Sequence, residues 1–243
     1  IQINRYRKVT EQDYGMFLYI RDKKSNKVWS NTFAPVNKTP DNYEVVFALD
    51  RIKFIRLDEK IITKTEIVVT KTHHAEIRKV TFKNLSNKTR FLELTTYNEP
   101  ILFENANDIS HPAFAKLFIS TEYDSETNTI IAMRKLRDSD TKYYMANRLI
   151  IENPTDKYQY ETNRMEFIGR NKTLANPKAI NEKLTNYVGT PLDPIISLRN
   201  TIKLLAGEET TVYFVSGFGK SKAQVMDIIN TYCDEESIEE LGF

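Results

Sequence analysis

The sequence predicts an all-β fold, a meandering antiparallel sandwich, on three observations. Tyrosine and phenylalanine occur thirteen times each, among many Ile, Val and Thr, the residue types that fill a pleated, half-buried surface. Short apolar runs alternate in series with short polar stretches, the spacing of strands joined by turns. Glycine occurs only seven times, so the turns fall mainly to Asn, Asp, Ser and Lys.

Along the chain, residues 16–21 and 27–33 flank the polar connection 22–26 and read as a hairpin. Residues 43–49 and 52–57 meet at Asp50-Arg51, and 61–70 follows. Residues 76–83 are expected to pair with 90–97 across the turn 84–88, and 195–205 with 210–218 across 206–209. Leu92, Leu94 and Thr96 share one face, with Glu93 and Thr95 opposite. Val212, Phe214, Ser216 and Phe218 share a face opposite Tyr213 and Val215. That strand is apolar on both sides and belongs in the centre of a sheet. Ile77 is out of phase with Val80 and Phe82, which predicts a β-bulge near Arg78-Lys79.

Residues 160–179 mix charges with Gly169 and Pro177 and read as a long excursion that packs on or binds something. Asn176-Pro177 is expected to open a short helix to Leu184, with the proline at its first position. Near the C-terminus, Ser221 and Gln224 have capping-box spacing. Val225, Ile228, Ile229, Tyr232 and Cys233 then form one apolar helical face, which would bury Cys233. The acidic stretch 234–240 starts a further helix-like segment. The expected organisation is a sandwich over 1–220, then a C-terminal helix and the start of a linker over 221–243.

Composition excludes several function classes. Lys+Arg number 35 against 33 Asp+Glu, a net charge of +2 with the signs interspersed, which argues against nucleic-acid binding by bulk charge. One cysteine, Cys233, allows neither an internal disulfide framework nor a cysteine-rich zinc site. No apolar run approaches the ~18 residues of a membrane span, and no secretory leader is visible. The chain opens at Ile1 rather than Met and reads as a piece of a longer protein.

Each candidate for chemistry has a plainer reading beside it. His73 and His74 are adjacent, point opposite ways in extended chain and read as exposed turn residues. His111, in a loop stiffened by Pro112, either packs and hydrogen-bonds locally or contacts a neighbouring domain or a sugar. Glu122 and Asp124 share a strand face, but they run into a turn and read as solvated acids rather than a glycosidase pair. The stretch 217–221 lacks phosphate-loop spacing and reads as a strand-to-helix connection. The N-x-[ST] triplets at Asn37, Asn84, Asn87 and Asn171 follow from composition. Trp29 is either a core residue or a sugar-stacking platform. No catalytic residue, metal ligand or cofactor site is nominated.

Six blocks in order carry a resemblance: 13–22, 28–35, 92–99, 110–118 with 121–122, 161–170 and 192–199. Together they resemble the β-sandwich preceding the catalytic barrel in glycoside hydrolase family 94, formerly glycosyltransferase family 36. They match best its cyclic β-1,2-glucan synthases and 1,2-β-oligoglucan phosphorylases. The resemblance implies a β-supersandwich similar to galactose mutarotase. It also implies a following (α/α)6 barrel that holds the catalytic aspartic acid and takes inorganic phosphate as an inverting substrate. That acid falls on no residue of this chain, so the isolated domain is expected to be inactive and without a cofactor. The implied partners are the downstream barrel of the same polypeptide, a β-glucan oligosaccharide and a second copy in a homodimer, with no nucleic acid and no direct membrane insertion. The implied location is the cytoplasmic side, beneath an inner-membrane synthase or free in the cytosol as a phosphorylase. The candidates for carbohydrate or interdomain contact are Trp29, Tyr97, His111, Phe114, Arg164 and Arg170. A face normally covered by the barrel is expected to expose a large apolar patch. Two alternatives stay open: a stand-alone glucan-binding module with Trp29 or Tyr97 as platforms, and a mutarotase-like enzyme, which would need converging histidines and a carboxylate.

Overall fold

A computed structural model describes residues 1–5, 14–137 and 139–243; Asp13, the first residue of the resembling blocks, lies outside the described residues. The strands are β1 (Gln2–Asn4), β2 (Phe17–Asp22), β3 (Val28–Ser30), β4 (Asn42–Phe47), β5 (Ile52–Asp58), β6 (Ile61–Val69), β7 (Ala75–Asn84) and β8 (Arg90–Tyr97). They continue as β9 (Pro100–Phe103), β10 (Ile119–Asp124), β11 (Thr129–Lys135), β12 (Lys142–Ile151), β13 (Gln159–Asn163), β14 (Pro194–Leu204) and β15 (Glu209–Gly219). The helices are α1 (Asn105–Ser110), α2 (Pro112–Lys116), α3 (Arg164–Ile168), α4 (Lys222–Thr231) and α5 (Glu235–Glu239).

An eight-stranded sheet, in the order β10-β11-β12-β15-β7-β6-β5-β4, faces a five-stranded sheet in the order β13-β14-β8-β2-β3, and β1 pairs with β9 in a separate ribbon. Alternation along each strand sends side chains to two different cores. Leu18, Ile20, Leu92 and Leu94 meet Val80, Phe82, Leu149 and Val212 between the sheets. On the back of the large sheet, Ile77, Tyr213 and Val215 pack under Val225, Ile228, Ile229 and Tyr232. On the back of the small sheet, Phe17, Tyr19, Tyr97 and Ile195 are covered by Phe167, Ile168, Leu174 and Ile180. The result is a two-sheet sandwich with a helix layer on one outer face and the 164–192 excursion on the other.

β15 sits in the middle of the large sheet, as its two apolar faces require. Gly217 lets α4 lie close, because a Cβ there would stand 3.0 Å from Ile228 Cγ2. Ser221 caps α4 by accepting the Gln224 N–H (3.2 Å), while the Gln224 side chain accepts the N–H of Lys220 (2.8 Å) rather than that of Ser221.

Several expectations are corrected. β7 and β8 lie in different sheets, as do β14 and β15, so both connections are crossovers rather than hairpins. Asn84 ties them side by side: its amide Nδ2 donates to the carbonyls of Lys88, Leu204 and Leu205, and its backbone N–H donates to Glu208 O. The register of β7 is unbroken against both neighbours, so there is no bulge at Arg78-Lys79. Ile77 is out of phase because it belongs to the core under α4, whereas Val80 and Phe82 belong to the inner one. The excursion begins with strand β13 before leaving the sheet. The helix expected as far as Leu184 is a single 3-10 turn over Lys178–Ile180, preceded by Pro177 as its N-cap. Cys233 lies beyond the end of α4 and is partly exposed, with its Sγ 3.5 Å from Asp234 Oδ2.

Candidate functional site

Four of the resembling blocks, 92–99, 110–118, 161–170 and 192–199, converge at one end of the small sheet. β8 ends at Tyr97, and Glu99 follows just before β9. The chain then turns through α1 and α2, which meet at His111. The His111 N–H donates to Asn107 O and its carbonyl accepts the Ala115 N–H, both at 2.9 Å. From the other side Asn163 caps α3 through the Met165 N–H (3.1 Å), and the Arg164 backbone N–H is held by Asp193 O (2.9 Å).

These turns gather a charge network around Glu99. Its carboxylate accepts from Arg5 Nη1 (3.0 Å), Arg164 Nε (3.0 Å) and the Tyr97 hydroxyl (2.7 Å), and Lys116 Nζ stands 3.4 Å away. Arg5 also holds Asp108 (2.6 Å), and Lys116 donates to Asp193, which lies 3.7 Å from Arg164 Nη1. Arg5, Lys116 and Arg164 are therefore matched by Glu99, Asp108 and Asp193. Burial tends to raise the Glu99 carboxyl, but Lys116, Arg164, the Tyr97 hydroxyl and Arg5 outweigh it and hold the group below the ordinary carboxylate range. Burial, reinforced by the Glu99 charge, pushes the Tyr97 hydroxyl well above its usual range.

The sign of the resulting pH dependence follows. The folded state holds Glu99 ionised more tightly than the unfolded chain, so its stabilisation is complete above the ordinary value of 4.5 and is lost as pH falls through the lower folded value. Glu66, paired with Lys53 (2.8 Å) and Lys64 (2.7 Å), acts in the same direction. Urea unfolding from pH 7 to 3 is expected to show stability declining at the acid end, with a smaller decline in Glu99→Gln.

Apolar side chains rim the network. Phe114 (47% exposed), Leu117 (48%) and Leu192 (80%) border a depression of about 500 Å³ with Arg5, Lys116 and Asp193 at its base. Phe114 also meets Phe118 edge-on, with ring centroids 5.0 Å apart.

Of the residues singled out in the sequence, His111, Phe114 and Arg164 meet here, and Tyr97 is the buried floor, its hydroxyl 3.2 Å from Arg164 Nε. Tyr97 thus faces inward rather than towards a ligand. Trp29 is completely buried between the sheets, with the Lys38 ammonium 5.6 Å from its ring, and presents no stacking platform. Arg170 is exposed beyond α3 and outside the network. The three histidines do not converge: His73 Nδ1 pairs with the Tyr232 hydroxyl (3.0 Å), His74 packs on Phe218, and His111 joins α1 to α2. Glu122 pairs with Lys222 (2.9 Å) and Asp124 accepts bonds within its own turn. Sequence reading missed Arg5, Glu99, Asp108, Lys116 and Asp193 as a group. The available signal was charged residues inside otherwise apolar stretches, as in 97–102 and 112–118.

Comparison with known proteins gives consistent matches. The family described as "Glycosyl hydrolase 94, supersandwich domain" matches residues 1–235. The chain is 31% identical over 208 residues to the cyclic beta-(1,2)-glucan synthase NdvB of Rhizobium meliloti (strain 1021), covering 84% of this chain and 7% of that protein. It is 26% identical over 220 residues to the N,N'-diacetylchitobiose phosphorylase of Vibrio proteolyticus, covering 86% of this chain and 26% of that protein. Among solved structures, a bacterial glucoamylase complexed with acarbose shares the fold, with a TM-score of 0.55 at 15% identity over 94% of this chain and 29% of that one. The chain thus spans only a small part of the length of these relatives.

Proposed function

The chain belongs to the glycosyl hydrolase 94 supersandwich family, and from that premise we propose that it is the non-catalytic support of a longer carbohydrate-active enzyme, held to its catalytic domain through the face around Glu99. The observation that carries this reading is the pairing of an exposed apolar rim with a rigid, charge-balanced base. Phe114, Leu117 and Leu192 offer area to bury, and the ion network beneath fixes the backbone that presents them.

In this reading the longer protein is a cyclic β-1,2-glucan synthase or an inverting β-glucan phosphorylase on the cytoplasmic side, and the domain also contributes to a homodimer. No helix among the described residues is long and apolar enough to cross a membrane. The test is phosphorolysis of β-1,2-gluco-oligosaccharides: none by the 243-residue chain, and turnover once the polypeptide that follows it is restored. Leu192→Asp in the longer protein is expected to lower its thermal stability and activity together. Turnover by the short chain alone would refute the proposal. Calorimetric titration of the short chain with the same oligosaccharides checks the binding-module alternative, for which heat beyond dilution is required.

A further inference from the structure

Beneath the same face lies a buried arginine with one side unfilled. Arg134, on β11, is 3% exposed. Its Nη1 donates to the carbonyls of Ala115 and Ile101. The Phe103 ring centroid lies 4.0 Å from its Cζ and that of Phe118 5.7 Å. Nε is buried with no hydrogen-bond partner, and Nη2 makes no hydrogen bond among the described residues.

Nε and Nη2 form the side of a guanidinium that matches two oxygens of a carboxylate or phosphate through parallel N–H···O bonds. On four other arginines a carboxylate occupies that side: Asp108 on Arg5, Asp58 on Arg56, Glu93 on Arg21 and Asp22 on Arg90; on the buried Arg199 Thr95 Oγ1 and Ala179 O occupy it. Arg134 departs from the pattern. Burial alone pulls its pKa down, with no carboxylate acting against it. Two carbonyls and two rings face a guanidinium that no carboxylate balances, so its positive charge favours an anion at the unpaired Nε–H. Phe118, 40% exposed, is the more exposed of the two rings that flank the guanidinium.

We propose that Arg134 is an oxyanion site, taking the two oxygens of a carboxylate or phosphate on its Nε–Nη2 side. The inference does not depend on which domain covers the face. The source is either an acidic side chain of a docked polypeptide or free inorganic phosphate, and two probes distinguish them. Arginine Nε–H resonances of the 15N-labelled chain are followed during titration with acetate, and separately with inorganic phosphate, at constant ionic strength. The Arg134 signal is expected to move saturably with at least one. Acetate alone points to a side-chain carboxylate, and phosphate alone to the free ion. Arg134→Lys keeps the charge without the fork, and should weaken the anion's effect on the thermal midpoint about tenfold. An Arg134 signal that neither anion moves, or midpoint shifts unchanged in Arg134→Lys, would overturn the proposal.

Discussion

Glu99→Ala is expected to destabilise the fold by about 3–5 kcal/mol, the cost of breaking a buried ion pair by removing one partner. The alanine takes one acceptor from Arg5, Lys116 and Arg164 at once and leaves the Tyr97 hydroxyl with no carboxylate to donate to. Arg5 keeps Asp108, and Lys116 and Arg164 keep Asp193, so the three cations remain in place but outnumber their anions. Glu99→Gln should cost less, because it keeps the shape and an acceptor for Tyr97. Asp193→Asn should cost less still, about 1 kcal/mol or below, because its carboxylate is partly hydrated. Urea unfolding measures all three. Adding Arg164→Met to Glu99→Ala should cost less than the sum of the single changes, because the second removes a charge the first left unmatched. A loss under about 1 kcal/mol for Glu99→Ala would mean that the network merely lies against the face and does not brace it.

Strands were legible because period-two patterning is local, and β2, β5, β6, β8, β14 and β15 fall where alternation predicts. Sheet membership was not, because a four- or five-residue polar loop serves a hairpin and a crossover equally well. The link observed at 84–88 and 206–209 is a set of bonds from Asn84 to carbonyls 120 and 121 residues away, which no local pattern announces. The supposed bulge at Arg78-Lys79 came from assuming that one face of β7 was buried, when α4 covers the other. β13 was hidden because Gln159-Tyr160-Glu161-Thr162-Asn163 contains a single β-branched residue. For the candidate site, His111, Phe114 and Arg164 could be singled out from family-like blocks. The link between Arg5 and Glu99 spans 94 residues and has no local signature. Trp29 shows the same limit from the other side: whether a lone tryptophan is core or platform depends on which sheet lies over it.

Asn84→Ala tests the crossover assignment most directly, and about 2–4 kcal/mol of destabilisation is expected. The amide Nδ2 donates to Lys88 O (2.7 Å), Leu205 O (2.8 Å) and Leu204 O (3.2 Å), and Oδ1 accepts from Ser86 N (3.0 Å) and Ser86 Oγ (2.6 Å). One completely buried side chain thus holds the end of β7, the start of the route to β8 and the end of β14. After truncation, water reaches the exposed Lys88 and Leu205 carbonyls, so those losses are partly recovered. Leu204 is buried and its carbonyl loses the amide donor, which is where most of the cost arises. Asn84→Asp should be worse, because it replaces the donor with a charge facing three carbonyls. Asn87→Ala, an exposed position in the same loop, is the control and should stay within about 0.5 kcal/mol. By calorimetry Asn84→Ala should lower the midpoint by roughly 4–16 °C, given about 2–4 °C per kcal/mol at this size. Hydrogen exchange should quicken at the ends of β7 and β14 together, although they belong to different sheets. If Asn84→Ala behaves like Asn87→Ala, the crossovers are held by backbone pairing alone, and the side chain is not what joins the two sheets.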